Sequence, residues 1–175
     1  MMFPSVTQVI SPYCDFSKIH PDVLQLATAR GSVVHELCAR FANGAFIIPD
    51  EECRPYVESF QKWFALMVKE VLFVEKRVAD QKWGFHGQID LLCKLTDDRM
   101  ALVDLKSPVT LQKSWRVQLA GYRHLCIEDG LRVDCVGSLR LSPDGSMAKM
   151  QWYENSAGDF NIFIQALQVY RFFNS

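Results

Sequence analysis

The chain has 175 residues, of which 49% are hydrophobic and 22% charged, and its formal net charge is −1. This length and balance predict one compact domain over residues 1–175, with a core large enough to fold without disulfide or metal staples. The near-zero charge excludes a polycation that coats nucleic acid without specificity. It counts mildly against a nuclease, although a local basic groove beside an acidic site can sum to almost zero.

The sequence also argues against several other classes of protein. Its first residues, MMFPSVTQVISPYCDF, contain no basic region and no long apolar run, and no segment approaches the length of a membrane span. The six cysteines form no CxxC pair, which disfavours a zinc ribbon or a thioredoxin-like motif. We therefore expect a soluble cytoplasmic protein with no membrane partner and with reduced cysteines in its core.

Hydrophobic periodicity and turn residues predict a mixed order of helices and strands. The predicted elements, in chain order, are an irregular start (1–19) with an extended piece at Val6–Ile10, a helix from Pro21 to Asn43-Gly44, a helix over 52–70, strands over 71–79, 84–95 and 100–106, a helix over 110–127 after Pro108, strands near 132–142 and 147–154, and a helix over 158–173. Gly31 either interrupts the first helix or lets another group approach it closely. This order predicts an α/β fold whose central mixed sheet is covered by helices on both faces.

Two of the predicted strands carry charges inside apolar sequence. Asp90 lies in GQIDLL, and Asp104 and Lys106 lie in ALVDLK. A buried charge is costly unless it is paired or binds a metal ion. Asp104 and Lys106 are two residues apart, so on a strand they point to the same side.

Whether Asp90 joins this pair depends on the turn between the two strands. A two-residue loop at Asp97-Asp98 would set Asp90 opposite Leu105, facing away from Asp104. A three-residue loop, or one β-bulge, would place Asp90 and Asp104 on the same side. A shared site therefore predicts an odd-length loop or a bulge at this turn.

If the two carboxylates converge, they form a site for a hard divalent cation such as Mg²⁺ or Mn²⁺. Such a cation polarises a phosphate and activates a bound water, and Lys106 can orient that water or stabilise developing negative charge. The alternative is a buried Asp–Lys pair that only satisfies itself. Because Asp90 lies on the neighbouring strand, the metal site is the favoured interpretation.

Other polar residues have both a structural and a functional interpretation. His35 is either a satisfied core histidine or a metal ligand. Glu75 faces the site or pairs on the surface with Lys76 or Arg77. Gln118 and Tyr122, four residues apart on one helix face, form an ordinary helix edge or hydrogen-bond to the substrate or to the lysine. Four nearby residues are further candidates for phosphate contacts and a stacking surface: Lys113, Trp115, Arg116 and Arg123.

In this order, these residues resemble the PD-(D/E)XK nuclease superfamily, specifically its RecB-like and phage-type exonuclease branch. The motifs that carry the resemblance are SVTQVI at 5–10, RGSVVH at 30–35, Glu75, GQID at 87–90, VDLK at 103–106 and QLAGY at 118–122. Each is short, but together they span nearly the whole chain. The resemblance implies a restriction-endonuclease-like core and a metal-dependent deoxyribonuclease.

The resemblance also implies roles for individual residues. His35, Asp90, Asp104 and the carbonyl of Leu105 would hold Mg²⁺ or Mn²⁺, and Lys106 would assist the attacking water. Gln118 and Tyr122 would correspond to the QxxxY motif of the branch, and Glu75 to an acidic residue on its first core strand. Some relatives hold an iron–sulfur cluster with four cysteines, but the CxxC-type spacing is missing here, so we expect no cluster.

The sequence thus favours a DNA exonuclease acting in recombination, repair or phage replication. A catalytically silent nucleic-acid-binding or scaffolding module with the same fold is the alternative, and a metal-independent domain with a buried ion pair is a third. The chain carries no helicase motif and resembles a stand-alone nuclease, although a homo-oligomer or a recombination partner protein could complete it.

Overall fold

The structure, a computed structural model, describes residues 3–17, 19–107 and 111–174. It contains five α-helices and five β-strands within those residues: α1 (Val6–Ile10), α2 (Pro21–Ala42), α3 (Arg54–Met67), β1 (Val68–Asp80), β2 (Phe85–Leu95), β3 (Met100–Lys106), α4 (Ser114–Glu128), β4 (Cys135–Arg140), β5 (Lys149–Tyr153) and α5 (Ser156–Asn174). The expected mixed α/β fold is confirmed.

The strands form one sheet in the order β1-β2-β3-β4-β5. All neighbouring pairs are antiparallel except β3 and β4, which run parallel. Because a parallel pair needs a crossover connection, α4 lies between these two strands in the chain and packs on the sheet. The sheet is therefore mixed, as the sequence predicts.

Helices cover both faces of the sheet. On one face, buried residues of α1, α4 and α5, such as Val6, Leu119 and Phe163, pack with Leu92 and Leu102 of the sheet. On the other face, Val34 of α2 and Phe60 of α3 join a second core with alternate strand residues, including Leu91 and Val103. This alternation reflects the two-residue period of side chains on a strand.

The start of the chain differs from the prediction. Residues Val6–Ile10 form a short helix rather than an extended piece. Ser5 explains the difference, because its Oγ accepts from Gln8 N (3.1 Å) while Gln8 Oε1 accepts from Ser5 N (2.8 Å). This capping box outweighs the β propensity of the valines and isoleucine.

Other boundaries shift by a few residues. The helix predicted to start at 110 begins at Ser114, and Pro108 and residue 110 lie outside the described residues. α2 continues without a break through Gly31, where an added Cβ would lie 3.3 Å from Ser107 Oγ. All six cysteines are free thiols, and four of them are buried. No helix in the described ranges is long and apolar enough to cross a membrane.

Candidate active site

The turn between β2 and β3 sets the register that the carboxylates need. Leu95 N donates to Arg99 O at 2.9 Å, which encloses a three-residue loop. Asp98 in this loop has φ of 67°, a left-handed conformation that aspartate tolerates better than most residues. Leu91 pairs with Val103, and one further step in the same register aligns Asp90 with Asp104. The prediction of an odd-length loop is confirmed.

β2 and β3 stop pairing at the two carboxylates. Their ladder ends at Leu91 and Val103, whereas β3 continues beside β4 to Lys106. The Leu105 N–H then donates to Asp90 Oδ2 at 2.7 Å, so a side chain replaces a backbone acceptor. The strands separate here, and Asp90 and Asp104 both line the cleft that results.

His35 reaches the same carboxylate from α2. Its Nδ1 lies 3.4 Å from Asp90 Oδ2. Burial raises the pKa of Asp90, but the charge of His35 and the hydrogen bonds to His35 and Leu105 lower it more, so the net pKa lies below its ordinary value. Burial lowers the pKa of His35, but the interactions with Asp90 raise it above the ordinary value. The two side chains thus stabilise each other's charged forms.

Asp104 and Lys106 form the second pair of charges. Lys106 Nζ lies 2.8 Å from Asp104 Oδ2, and both side chains are largely buried. Asp104 Oδ2 nevertheless makes no hydrogen bond of good geometry. Burial, and then the nearby charge of Asp90, raise the pKa of Asp104 despite the lysine. Asp104 is therefore a buried carboxylate that this structure compensates only in part.

A chain of hydrogen bonds holds Lys106 from the α4 side. Lys106 Nζ donates to Gln118 Oε1 (3.0 Å), Gln118 Nε2 donates to Tyr122 OH (3.3 Å), and Tyr122 OH lies 3.2 Å from Thr7 Oγ1. An ammonium group only donates, so it fixes the orientation of the Gln118 amide. The predicted pair of Gln118 and Tyr122 therefore lies beside the lysine. Thr7, which sequence reasoning did not select, is the last residue in this series of hydrogen bonds.

Glu75 faces the cleft rather than pairing with its basic neighbours. In the register of β1 and β2, Glu75 lies opposite Asp90. Its positive φ of 52° marks an irregularity in β1. Gln88 Nε2 donates to its carboxylate. Burial raises the pKa of Glu75, and the charge of Asp90 adds to the rise. Lys76 instead pairs with Asp129 at 3.1 Å.

The four residues proposed from sequence for substrate contacts do not line this cleft. The Trp115 side chain is 5% exposed, and Lys106 Nζ lies 5.6 Å from the centre of its ring, so the ring supports the lysine and offers no open stacking surface. Arg116 pairs with the buried Asp159 at 2.8 Å. Arg123 donates to Val133 O, and Lys113 precedes the first turn of α4. Contact of these residues with a substrate stays a prediction that the cleft geometry does not favour.

The cleft has a volume of about 1120 Å³. Its lining includes four polar side chains that sequence reasoning did not select for the site: Thr7, Arg40, Arg77 and His86. The sequence could have indicated Arg77, because it is two positions from Glu75 on the same strand and so faces the same side of the sheet. Arg40 gave no such signal, since a charge near the end of an amphipathic helix is usually only solvated.

Comparison with known proteins supports the fold without naming a family. No family model matches the chain, and no curated protein is similar to it in sequence. A crystal structure of an exonuclease candidate from Eubacterium rectale is similar in fold, with a TM-score of 0.53 and 9% sequence identity over 83% of this chain and 67% of that one. The chain has a nuclease-like fold. A second solved structure, of SSO0001, covers 58% of this chain and 50% of its own at 11% identity, but its TM-score of 0.39 is too low to carry an argument.

The donors present in this nuclease-like fold suit a hard divalent cation. Asp90, Asp104 and backbone carbonyls offer oxygen, and the incompletely satisfied Asp104 Oδ2 has the chemistry of a cation ligand. Within the described part of the chain, no three His, Cys, Asp or Glu side chains converge into a complete metal-binding group. Mg²⁺ usually keeps several water ligands and takes only one or two carboxylates from the protein, so a partial set fits it.

Proposed function

We propose that this chain is a metal-dependent deoxyribonuclease, acting as an exonuclease, and that residues 1–175 form a single nuclease domain. The observation that carries the proposal is the separation of β2 from β3, which leaves Asp90 and Asp104 together on the lining of an open cleft beside Lys106. A fold shared with an exonuclease candidate supports the proposal, but 9% identity by itself supports only the fold.

The proposed ligands are Asp90, Asp104, the carbonyl of Leu105 and His35, with Glu75 as an auxiliary carboxylate. Mg²⁺ or Mn²⁺ bound there would polarise the scissile phosphate and lower the pKa of a bound water. Without a cation, His35 lies 3.4 Å from Asp90 and stabilises its ionised form; as a ligand, its neutral imidazole would replace that contact with one to the metal. Asp104 Oδ2 lies 2.8 Å from Lys106 Nζ but makes no hydrogen bond of good geometry, so a cation there would compete only with the charge of the lysine.

Lys106 has the role of orienting the attacking water and stabilising charge on the phosphate. Burial lowers the pKa of Lys106, but the charge of Asp104, whose Oδ2 lies 2.8 Å from Nζ, raises the pKa above the ordinary value. The lysine is therefore charged at neutral pH and acts as a donor, not as a general base. Gln118 holds Nζ in place, and Tyr122 holds the Gln118 amide, so both act as positioning residues.

The test is digestion of linear and closed-circular DNA with Mg²⁺, Mn²⁺ or EDTA, comparing wild type with Lys106→Ala. The matched control is Lys82→Ala, since Lys82 is exposed in the turn between β1 and β2 and lies outside the cleft. We expect metal-dependent loss of linear DNA only, abolished by Lys106→Ala and unchanged by the control. Cutting of the circle would instead identify an endonuclease that uses the same site.

Equal activity of wild type and Lys106→Ala would contradict the catalytic assignment. Absence of cutting by wild type on either DNA would favour the silent nucleic-acid-binding or scaffolding module. The third interpretation, a self-satisfied Asp–Lys pair, predicts that Asp90 faces away from Asp104. The register of β2 and β3 aligns the two instead.

A further inference from the structure

The cleft contains two cations that the proposed catalytic machinery does not use. Lys106, a third cation in the cleft, already forms an ion pair with Asp104 and a hydrogen bond to Gln118. Arg40 and Arg77 also line the cleft and are exposed, and neither forms an ion pair with any residue in the described ranges. Exposed arginines without a carboxylate partner in a cleft are available to an anionic ligand.

Arg77 is held in the cleft by one weak contact. It pairs in register with Gln88 across β1 and β2. Its Nε donates to Gln88 Oε1 at 3.4 Å, while Gln88 Nε2 donates to Glu75. This weak contact engages only Nε and leaves the terminal N–H groups for a ligand.

Arg40 approaches the same side of the cleft from α2. It lies five residues beyond His35, or about 7.5 Å along the helix axis. Ala39 and Ala42 line a small cavity with Val74 and Glu75 of β1 and with residues of β2 and β3, so this end of α2 lies over the sheet and reaches β1. The opposite part of α2 approaches the end of β3, since an added Cβ on Gly31 would lie 3.3 Å from Ser107 Oγ. Both arginines therefore line the part of the cleft that is bordered by β1 and by this end of α2.

We propose that Arg40 and Arg77 bind phosphate groups of a nucleic-acid strand where it passes the β1 side of the cleft. This inference rests on the proposed function for the identity of the ligand. It also explains how a chain of net charge −1 binds a polyanion, because the binding cations line the same cleft. Phosphate contact there positions the strand and reads no sequence.

The experiment measures binding of a labelled single-stranded oligodeoxythymidine by fluorescence anisotropy over a series of salt concentrations. All proteins carry Lys106→Ala and are assayed at one fixed Mg²⁺ concentration, so that the probe is not consumed. The variants are Arg40→Gln, Arg77→Gln and the double substitution. The control is Arg132→Gln, at an exposed arginine outside the cleft that pairs with Asp134.

Each lost phosphate contact should reduce the slope of log K against log salt by about 0.7, and the double variant by about 1.4, with no change in the control. Arg77→Lys should show nearly the same salt dependence as the parent protein, because lysine keeps the positive charge. This result would show that the effect of Arg77→Gln comes from a lost phosphate contact and not from misfolding. Slopes equal to that of the parent protein in Arg40→Gln and Arg77→Gln would overturn the inference even if wild type cuts DNA. Arginine-dependent binding by a chain that never cuts would support it while the catalytic proposal fails.

Discussion

Gly87→Ala should disturb the site through a steric overlap whose size the structure fixes. A Cβ at Gly87 would lie 2.5 Å from Tyr122 Cε1, 2.9 Å from its Cδ1 and 3.3 Å from Leu125 Cδ1. Ordinary contacts of this kind are about 3.5–4.0 Å, so the ring must move by roughly 1 Å. Because the Tyr122 hydroxyl contacts Gln118 and Thr7, this movement should break the series of hydrogen bonds that positions Lys106.

The expected cost follows from general energies. Overpacking a filled core costs about 1–3 kcal/mol, and replacing a strand glycine recovers roughly 0.5 kcal/mol of backbone entropy. The free energy of unfolding, measured with urea, should therefore fall by about 0.5–2.5 kcal/mol. Loss of one or two neutral hydrogen bonds, at about 1 kcal/mol each, should lower the rate of DNA cutting by roughly 5- to 30-fold.

Gly31→Ala is the matched control, since Gly31 also lines the cleft but lies inside α2. Alanine is favoured over glycine in a helix by up to about 1 kcal/mol, and the nearest atom is a hydroxyl 3.3 Å away, so stability should not fall. In a Tyr122→Leu background, Gly87→Ala should cost less than about 0.5 kcal/mol. An equal cost with and without the tyrosine ring would refute the overlap as the cause.

Three further outcomes are expected. Mn²⁺ should raise the melting temperature of wild type, and at 100 times its Kd the stabilisation should be about 2.7 kcal/mol. Asp104→Asn should lose most of this shift in melting temperature. Equal shifts in wild type and variant would exclude Asp104 as a ligand. Burial raises the pKa of Asp80, but hydrogen bonds with His124 and with two turn amides lower it below the ordinary value. A depressed folded-state pKa stabilises the fold above the unfolded-state pKa of about 3.9 and ceases to do so as the pH falls through the folded value. The stability deficit of Asp80→Asn should therefore shrink below about pH 4 in urea unfolding, and a constant deficit would contradict this role. Ser5→Ala should cost about 1 kcal/mol through loss of the capping box with Gln8, with Ser11→Ala, outside that box, as the comparison; equal stability of both variants would show that the cap contributes little.

The order of helices and strands was accessible from sequence because long periodic segments determine it. The missed helix at Val6–Ile10 has five residues, too few for periodicity to distinguish from a strand. Its start depends on reciprocal bonds between Ser5 and Gln8, a signature that the sequence did contain.

The candidate site was only conditionally accessible. The tetrapeptide Thr96-Asp97-Asp98-Arg99 has no glycine to select a turn type, so the sequence did not fix the length of the loop. The side of the sheet on which Asp90 lies depends on that length, which only the structure shows. The position of the basic residues on α4 relative to the cleft was not accessible from sequence for another reason. Periodicity says which helix face is buried, but not which part of that face meets the cleft, and Trp115 is buried under the lysine.

The bond from Leu105 N–H to Asp90 Oδ2 gives the protein a built-in spectroscopic reporter. Most amides in a central strand respond to their neighbours' backbone, whereas this one responds to a side chain in the cleft. Its proton chemical shift in an NMR spectrum should therefore follow any change in the electron density of that carboxylate, whether a cation, a proton or a phosphate causes it. A single backbone resonance of the ¹⁵N-labelled protein can thus register occupancy of the cleft without a fluorophore, a substrate or turnover.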